Sequence, residues 1–105
     1  MYGFTKWYHS NGKLGHIGTM KNGNRHGKFG IEITKNGYIF YCGGYKENLY
    51  HGKGIELYSG SLPQGISNGV KRLGTFVDGK LHGPDCFENN FGEVNIGTFE
   101  HGQVV

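Results

Sequence analysis

The chain repeats one short frame, seen most plainly in the stretch GTFVDGKLHGP at residues 74–84. The frame also occurs as GTMKNGNRHGK at residues 18–28 and GGYKENLYHGK at residues 43–53, and it begins again as GTFEHG at residues 97–102. Each complete copy opens on glycine, has a large apolar residue at its third position, and ends in His-Gly. Self-similarity at this spacing is typical of repeat proteins.

The segments around these copies have the pattern of short strands. Ile31-Glu32-Ile33 and Ile55-Glu56-Leu57 alternate apolar and polar residues, which predicts strands, and turn signals such as Asn36-Gly37 separate the runs. Glycine contributes 21 of 105 residues, which disfavours helix. The sequence therefore predicts an all-β, single-layer antiparallel meander of β-hairpin repeats in one domain. We divide it into a half unit at 1–17, repeats at about 18–42, 43–73 and 74–96, and a truncated unit at 97–105.

This frame resembles the MORN repeat, most clearly in Tyr41-Cys42-Gly43-Gly44-Tyr45 followed by His51-Gly52-Lys53-Gly54. The resemblance implies a β-hairpin repeat fold and a function in binding. The glycines suit tight turns and close approach of side chains to the backbone. We therefore assign a structural role to the repeated residues, which are Gly18, His26, Gly27, Gly43, His51, Gly52, Gly74, His82, Gly83 and Gly97.

The histidines of the frame do not predict a metal or catalytic site. His26, His51 and His82 recur once per unit and should lie about 10 Å apart, whereas zinc needs ligand nitrogens at about 2.0–2.1 Å. His9, His16 and His101 fall outside the frame, and we expect them at the surface. No nucleophile, phosphate-loop or metalloprotease motif is present in the sequence. We expect neither enzymatic activity nor a cofactor.

The third position of the frame places apolar residues in one register, and we call this set the ladder: Met20, Tyr45, Phe76 and Phe99. Two interpretations are open. The ladder is either the core of the sheet or the floor of a groove that binds a partner's apolar helix or strand. The insertion at residues 60–69 lengthens one unit, and such loops often lie on a binding face. Leu62 within it is a further candidate for protein binding.

Charge is distributed unevenly along the chain. Residues 1–53 carry a net charge of +6 and residues 54–105 a net charge of −3, consistent with +3 overall. A stripe of basic side chains near the turns could attract an anionic membrane, an acidic protein or a phosphate backbone, of which nucleic acid is the least supported. The candidate anion- or lipid-binding residues are Lys21, Arg25, Lys28, Lys46 and Lys53.

These features favour a protein–protein interaction module, an adaptor, scaffold or small inhibitor that uses the sheet face and the ladder. The alternative is a peripheral membrane module that binds anionic phospholipid through the basic half. Open sheet edges also predict a homodimer, because unpaired edge strands invite pairing. Two isolated cysteines, Cys42 and Cys86, and the lack of an apparent secretory signal predict an intracellular, cytoplasmic protein, either free or peripheral to a membrane.

Overall fold

The computed structural model describes residues 2–58 and 69–105, which form one antiparallel sheet. Strand order follows chain order except that one two-residue strand, Lys80–Leu81, lies beside this path, so the predicted single-layer all-β meander is confirmed. The molecule measures 38 × 30 × 13 Å, and its small third dimension is that of one sheet with its side chains. The strands are β1 (Tyr2–Tyr8), β2 (Leu14–Lys21), β3 (Asn24–Ile33), β4 (Ile39–Lys46), β5 (Leu49–Leu57), β6 (Val70–Val77), β7 (Lys80–Leu81), β8 (Gly83–Asn90), β9 (Glu93–Glu100) and β10 (Gln103–Val104).

Tight two-residue turns close the hairpins inside the repeated frame. Between β6 and β7, Asp78 and Gly79 have φ angles of 50° and 85°. Two consecutive positive φ angles define a type I′ turn, whose twist matches that of the flanking strands. The turns between β2 and β3, β4 and β5, and β9 and β10 share this conformation, with central residues Asn22-Gly23, Glu47-Asn48 and His101-Gly102.

Glycines face one another across the middle of the sheet. Gly54 lies opposite Gly43 on one side and Gly74 on the other. A Cβ atom at Gly54 would lie 2.4 Å from the hydroxyl oxygen of Tyr41, far inside van der Waals contact. Glycine at this position therefore lets an aromatic ring lie flat against the backbone of the next strand.

The core lies on one face of the sheet. The Tyr41 ring stacks on Tyr50 at a centroid distance of 3.7 Å and meets Phe76 edge-on at 5.9 Å. The Tyr41 hydroxyl donates a hydrogen bond of 2.8 Å to the Gly44 carbonyl, and burial raises the pKa of this phenol. The buried apolar residues are Tyr41, Tyr45, Phe76, Leu81, Cys86 and Phe99.

The expectation that His16 lies at the surface is wrong. Its side chain is fully buried, packs edge-on against Tyr45 at 5.5 Å, and contacts the Glu32 carboxylate through Nδ1. The reason is register: His16 stands two residues before the first glycine of its frame, the inward-facing position that Tyr41 occupies in the next copy. His101 is exposed as expected, while His9 is half-buried.

Candidate binding surfaces

The face opposite the core carries a continuous line of apolar side chains, which we call the outer row. Its members are direct cross-strand neighbours, so they project to the same side of the sheet, and each adjoins a residue of the inward-facing register. At about 4.8 Å per strand the row spans roughly 29 Å. Leu73 is 44% exposed and Ile96 is 70% exposed. The row consists of Ile17, Ile31, Cys42, Ile55, Leu73, Phe87 and Ile96.

A groove follows the middle of the outer row, and we call it the outer groove. Cys42, Ile55 and Leu73 line it together with the exposed ring of Phe29. Lys28 on β3 and Lys53 on β5 add positive charge, while the other flank, at β8, carries Pro84 and Asp85. The groove thus has an apolar floor, two basic side chains on β3 and the central strand β5, and one acidic side chain at its β8 flank.

A second concave surface, the basic pocket, lies between the first two complete hairpins. Three of the predicted anion-binding lysines line it, and none of its described lining side chains is acidic. Its volume of about 600 Å³ is within the range of about 300–1,000 Å³ that is typical of ligand sites. Its polar side chains are His26, Lys28, Lys46, His51 and Lys53.

The other two predicted anion-binding residues do not line this pocket. The Arg25 guanidinium donates to the Glu32 carboxylate at 2.5 Å and lies 5.7 Å from the centre of the Trp7 ring. Arg25 is therefore committed to an ion pair within the sheet. Lys21 is exposed at the end of β2 and lies outside the pocket lining. The structure thus brings together three members of the predicted stripe, and anion binding by them stays a prediction.

The repeated histidines join successive hairpins. His51 Nδ1 accepts a hydrogen bond of 3.5 Å from the backbone N–H of Asp78, in the next tight turn. The carbonyl of the preceding Tyr50 accepts one of 2.8 Å from the N–H of Gly79 in the same turn. These paired bonds clamp each hairpin to the next and explain why the histidine recurs at a fixed place in the frame. The equivalent histidine bonds, both 3.3 Å, join His26 to Glu47 and His82 to His101.

The ladder lies mostly in the core. Tyr45 is 5% exposed, and Phe76 and Phe99 are 0% exposed. The structure therefore corrects the groove interpretation for Phe76 and Phe99, which are fully buried, while Tyr45 is buried in the core and contributes only to the lining of the basic pocket. Met20 is half-buried on β2, and Leu62 lies outside the described residues.

Two inward-facing carboxylates, those of Glu32 and Glu56, are each held by a cation. Burial raises the pKa of Glu32, but hydrogen bonds from His16 and Arg25 outweigh burial, so this pKa lies below its ordinary value. Glu56 accepts a hydrogen bond of 2.6 Å from Arg72 Nε. The two carboxylates therefore serve ion pairs inside the sheet and do not face each other as an acid–base pair.

Within 2–58 and 69–105, no group of three or more His, Cys, Asp or Glu side chains is placed to hold a metal ion. In the same part of the chain, no helix has the length and apolar character needed to cross a membrane.

Over the part of the chain that the structure describes, repeated hairpins are clamped by a recurring histidine and form a single layer, which defines a β-hairpin repeat protein. The family model for the MORN repeat matches residues 16–28, 41–61 and 73–84, which contain the three complete copies of the frame, and the chain is a MORN-repeat protein. MORN repeats are generally involved in interactions with proteins or with membranes and phospholipids, and the family is generally non-catalytic. No curated protein and no solved structure matches the chain.

Sequence reasoning missed the outer row as a surface. Its signal is present, because an apolar residue stands immediately before the first glycine of every copy of the frame. These residues are Ile17, Cys42, Leu73 and Ile96. The large rings two positions after that glycine are the stronger apolar signal in the sequence, and they lie on the opposite face.

Proposed function

We propose that this chain is a non-catalytic protein-interaction module that binds its partner through the outer row. The observation that carries the proposal is the continuity of this row over seven neighbouring strands on the face that has no core. Monomeric proteins rarely expose contiguous apolar patches beyond a few hundred Å², and larger patches mark interaction sites. We therefore assign partner binding to the outer row and not to the ladder, which lies on the opposite face.

The energetics favour a few dominant contacts. Full burial of a leucine or isoleucine side chain contributes about 1.5–3 kcal/mol, and Leu73 and Ile96 are the row members with the greatest exposure. Binding energy in protein interfaces is concentrated in such residues. We therefore expect these two side chains to contribute more than the half-buried members of the row.

Affinity capture with matched variants tests the proposal. The double variant Leu73→Asp/Ile96→Asp introduces charge on the outer row, while Tyr38→Asp alters a 62%-exposed ring before β4 as a control. Proteins identified by mass spectrometry with the native chain should persist with the control and disappear with the double variant. Recovery of the same proteins with all three chains would count against the proposal.

The absence of catalysis is part of the same proposal. Among the groups that could act as acids or bases, Glu32 and Glu56 pair with cations and the repeat histidines accept backbone N–H groups. Recurrence of one histidine in every complete copy is what a fold requirement produces. These contacts support a binding protein over a hydrolase or transferase.

Binding of anionic phospholipid is the second candidate function, and the basic pocket favours it. Each lysine near an anionic membrane surface contributes about 1 kcal/mol, so Lys28, Lys46 and Lys53 together would contribute about 3 kcal/mol. That corresponds to roughly a hundred-fold in affinity at low salt. An adaptor with this pocket would sit at the membrane periphery.

Vesicle sedimentation separates this second candidate from the first. Vesicles of phosphatidylcholine with and without phosphatidylinositol bisphosphate are compared at low and high salt. Reversal of the three pocket lysines to Glu should abolish sedimentation with the anionic vesicles. The control variant Lys13→Glu/Lys35→Glu changes two exposed lysines outside the pocket and should sediment like the native chain.

The proposal also includes a homodimer and an intracellular location. β1 and β10 lie at the ends of the strand order, and their unpaired edges support a homodimer, which multi-angle light scattering tests directly. Both cysteines are free thiols, which supports a reducing intracellular compartment. Oxidation of both thiols in protein isolated from its native cell would contradict that location.

A further inference from the structure

The outer groove and the basic pocket share two side chains. Lys28 and Lys53 line both surfaces. The apolar floor around Ile55 and Leu73 therefore continues into a region with three lysines and two histidines, without an intervening structural element. A ligand seated on the outer groove that extends along the strands past Lys28 and Lys53 enters the basic pocket.

The charges give this combined surface a direction. The basic pocket has no acidic group among its described lining residues, whereas Asp85 lies at the far flank of the outer groove. Asp85 is exposed, and its φ of 59° fixes it at an irregularity early in β8. Charge complementarity favours a ligand with negative charge at one end, because the Asp85 flank would repel a second acidic group.

We infer that the partner contributes a short segment with apolar side chains for the outer groove and acidic groups at one end for the basic pocket. This inference rests on the proposed function and names the chemistry of the partner. Apolar contact along the row supplies most of the affinity, while the lysines set the orientation of the segment and accelerate its association.

A protein segment fits this surface better than a membrane does. An anionic bilayer presents negative charge over its whole area, so seating on the outer row would bring phosphate groups toward Asp85 as well as toward the lysines. A peptide places its acidic residues at one end only. The carboxylate at the far flank therefore discriminates against the bilayer and is compatible with the peptide.

Selection from a random-peptide phage library, followed by fluorescence anisotropy with the selected peptides, tests the inference. We expect peptides that combine apolar residues with Asp or Glu clustered at one end. Lys28→Glu/Lys53→Glu should weaken their binding about ten-fold, and raising the salt to screen surface charge should weaken it similarly. The control Lys13→Glu/Lys35→Glu makes the same change in net charge away from the groove and should bind within about two-fold of the native chain.

The thiol of Cys42 can report whether the outer groove is occupied. Cys42 lines the outer groove, whereas Cys86 is 0% exposed in the core. A bound peptide should slow alkylation of Cys42 by iodoacetamide several-fold. Cys86 should stay unmodified with or without peptide, which verifies that the fold is intact.

The outcomes distinguish this inference from the function on which it rests. The inference is overturned if the selected peptides lack acidic clusters and bind Lys28→Glu/Lys53→Glu normally. If the same peptides fail to bind Leu73→Asp or Ile96→Asp, the proposed function stays in place. Peptides that ignore both aspartate variants and do not protect Cys42 overturn both. Failure to select any peptide also overturns the inference, as does protection of Cys42 by anionic vesicles alone. Circular dichroism confirms that each variant is folded.

Discussion

Replacement of Gly54 by alanine tests directly whether the glycines of the frame make room for the aromatic core. The new Cβ would lie 2.4 Å from the Tyr41 hydroxyl oxygen and 2.8 and 2.9 Å from two ring carbons. Tyr41 cannot withdraw, because its ring is 0% exposed, stacked on Tyr50 and edge-on to Phe76. The ring or the strand must therefore shift.

The expected cost follows from three contributions. Overpacking of a close-packed core costs about 1–3 kcal/mol, and displacement of the Tyr41 hydroxyl from the Gly44 carbonyl costs about 1 kcal/mol more. Alanine offsets about 0.5–1 kcal/mol of this cost, because glycine loses more backbone entropy on folding than alanine does. We expect Gly54→Ala to lower the free energy of unfolding by about 2 kcal/mol, which corresponds to a fall in Tm of about 8–16 °C.

Urea denaturation measures this change against two references. Gly3→Ala is the matched control, because a Cβ at Gly3 in β1 meets nothing within 4 Å. Tyr41→Phe combined with Gly54→Ala removes the atom nearest the new methyl group, so the double variant should be more stable than the sum of the single effects by at least about 0.5 kcal/mol. Equal stability of Gly54→Ala and Gly3→Ala, or strict additivity in the double variant, would refute the reasoning.

Three further changes probe the clamp, an ion pair and the thiols. His82→Ala removes the acceptor for the His101 N–H and should cost about 1 kcal/mol of unfolding free energy in urea; an unchanged midpoint would show that the bond contributes nothing. The lowered pKa of Glu32 means that its carboxylate stabilises the fold above the ordinary carboxyl pKa of about 4.3 and loses this effect as pH falls through the folded-state pKa. The stability deficit of Glu32→Gln should therefore shrink from neutral to acidic pH, and a deficit independent of pH would contradict this assignment. Burial raises the pKa of the Cys42 thiol, so intact-mass analysis should show one slow iodoacetamide adduct that forms faster at higher pH, whereas rapid double alkylation would mean that Cys86 is accessible.

Much of the fold could be predicted from local patterns. Alternation in Ile55-Glu56-Leu57 and the turn signals are sufficient for strands and turns, because side-chain period and turn conformation depend on neighbouring residues. The repeat then places equivalent residues in one register. His16 was misplaced although it stands at the frame position of Tyr41, because cross-strand pairing decides that this position faces inward and no short stretch of sequence contains that pairing.

The candidate surfaces could be predicted less well than the strands. Lys28, Lys46 and Lys53 were selected on charge, and the structure brings them together in one pocket. Arg25 was selected on the same ground, yet it belongs to an ion pair with Glu32. Net charge along a chain does not reveal which cations already have partners, since that depends on the geometry of neighbouring strands.

The sequence by itself determined the repeat, the meander and the positions of the turns, because each follows from residue types a few positions apart. Only the tertiary structure decided which face of the sheet is the core. The ladder rings are apolar enough to be either core or binding floor. The structure buries Phe76 and Phe99 completely and leaves Tyr45 only 5% exposed, with the Tyr45 ring packed over Gly30. The opposite face, from Ile17 to Ile96, is thereby left with an apolar row whose members are half-buried or exposed.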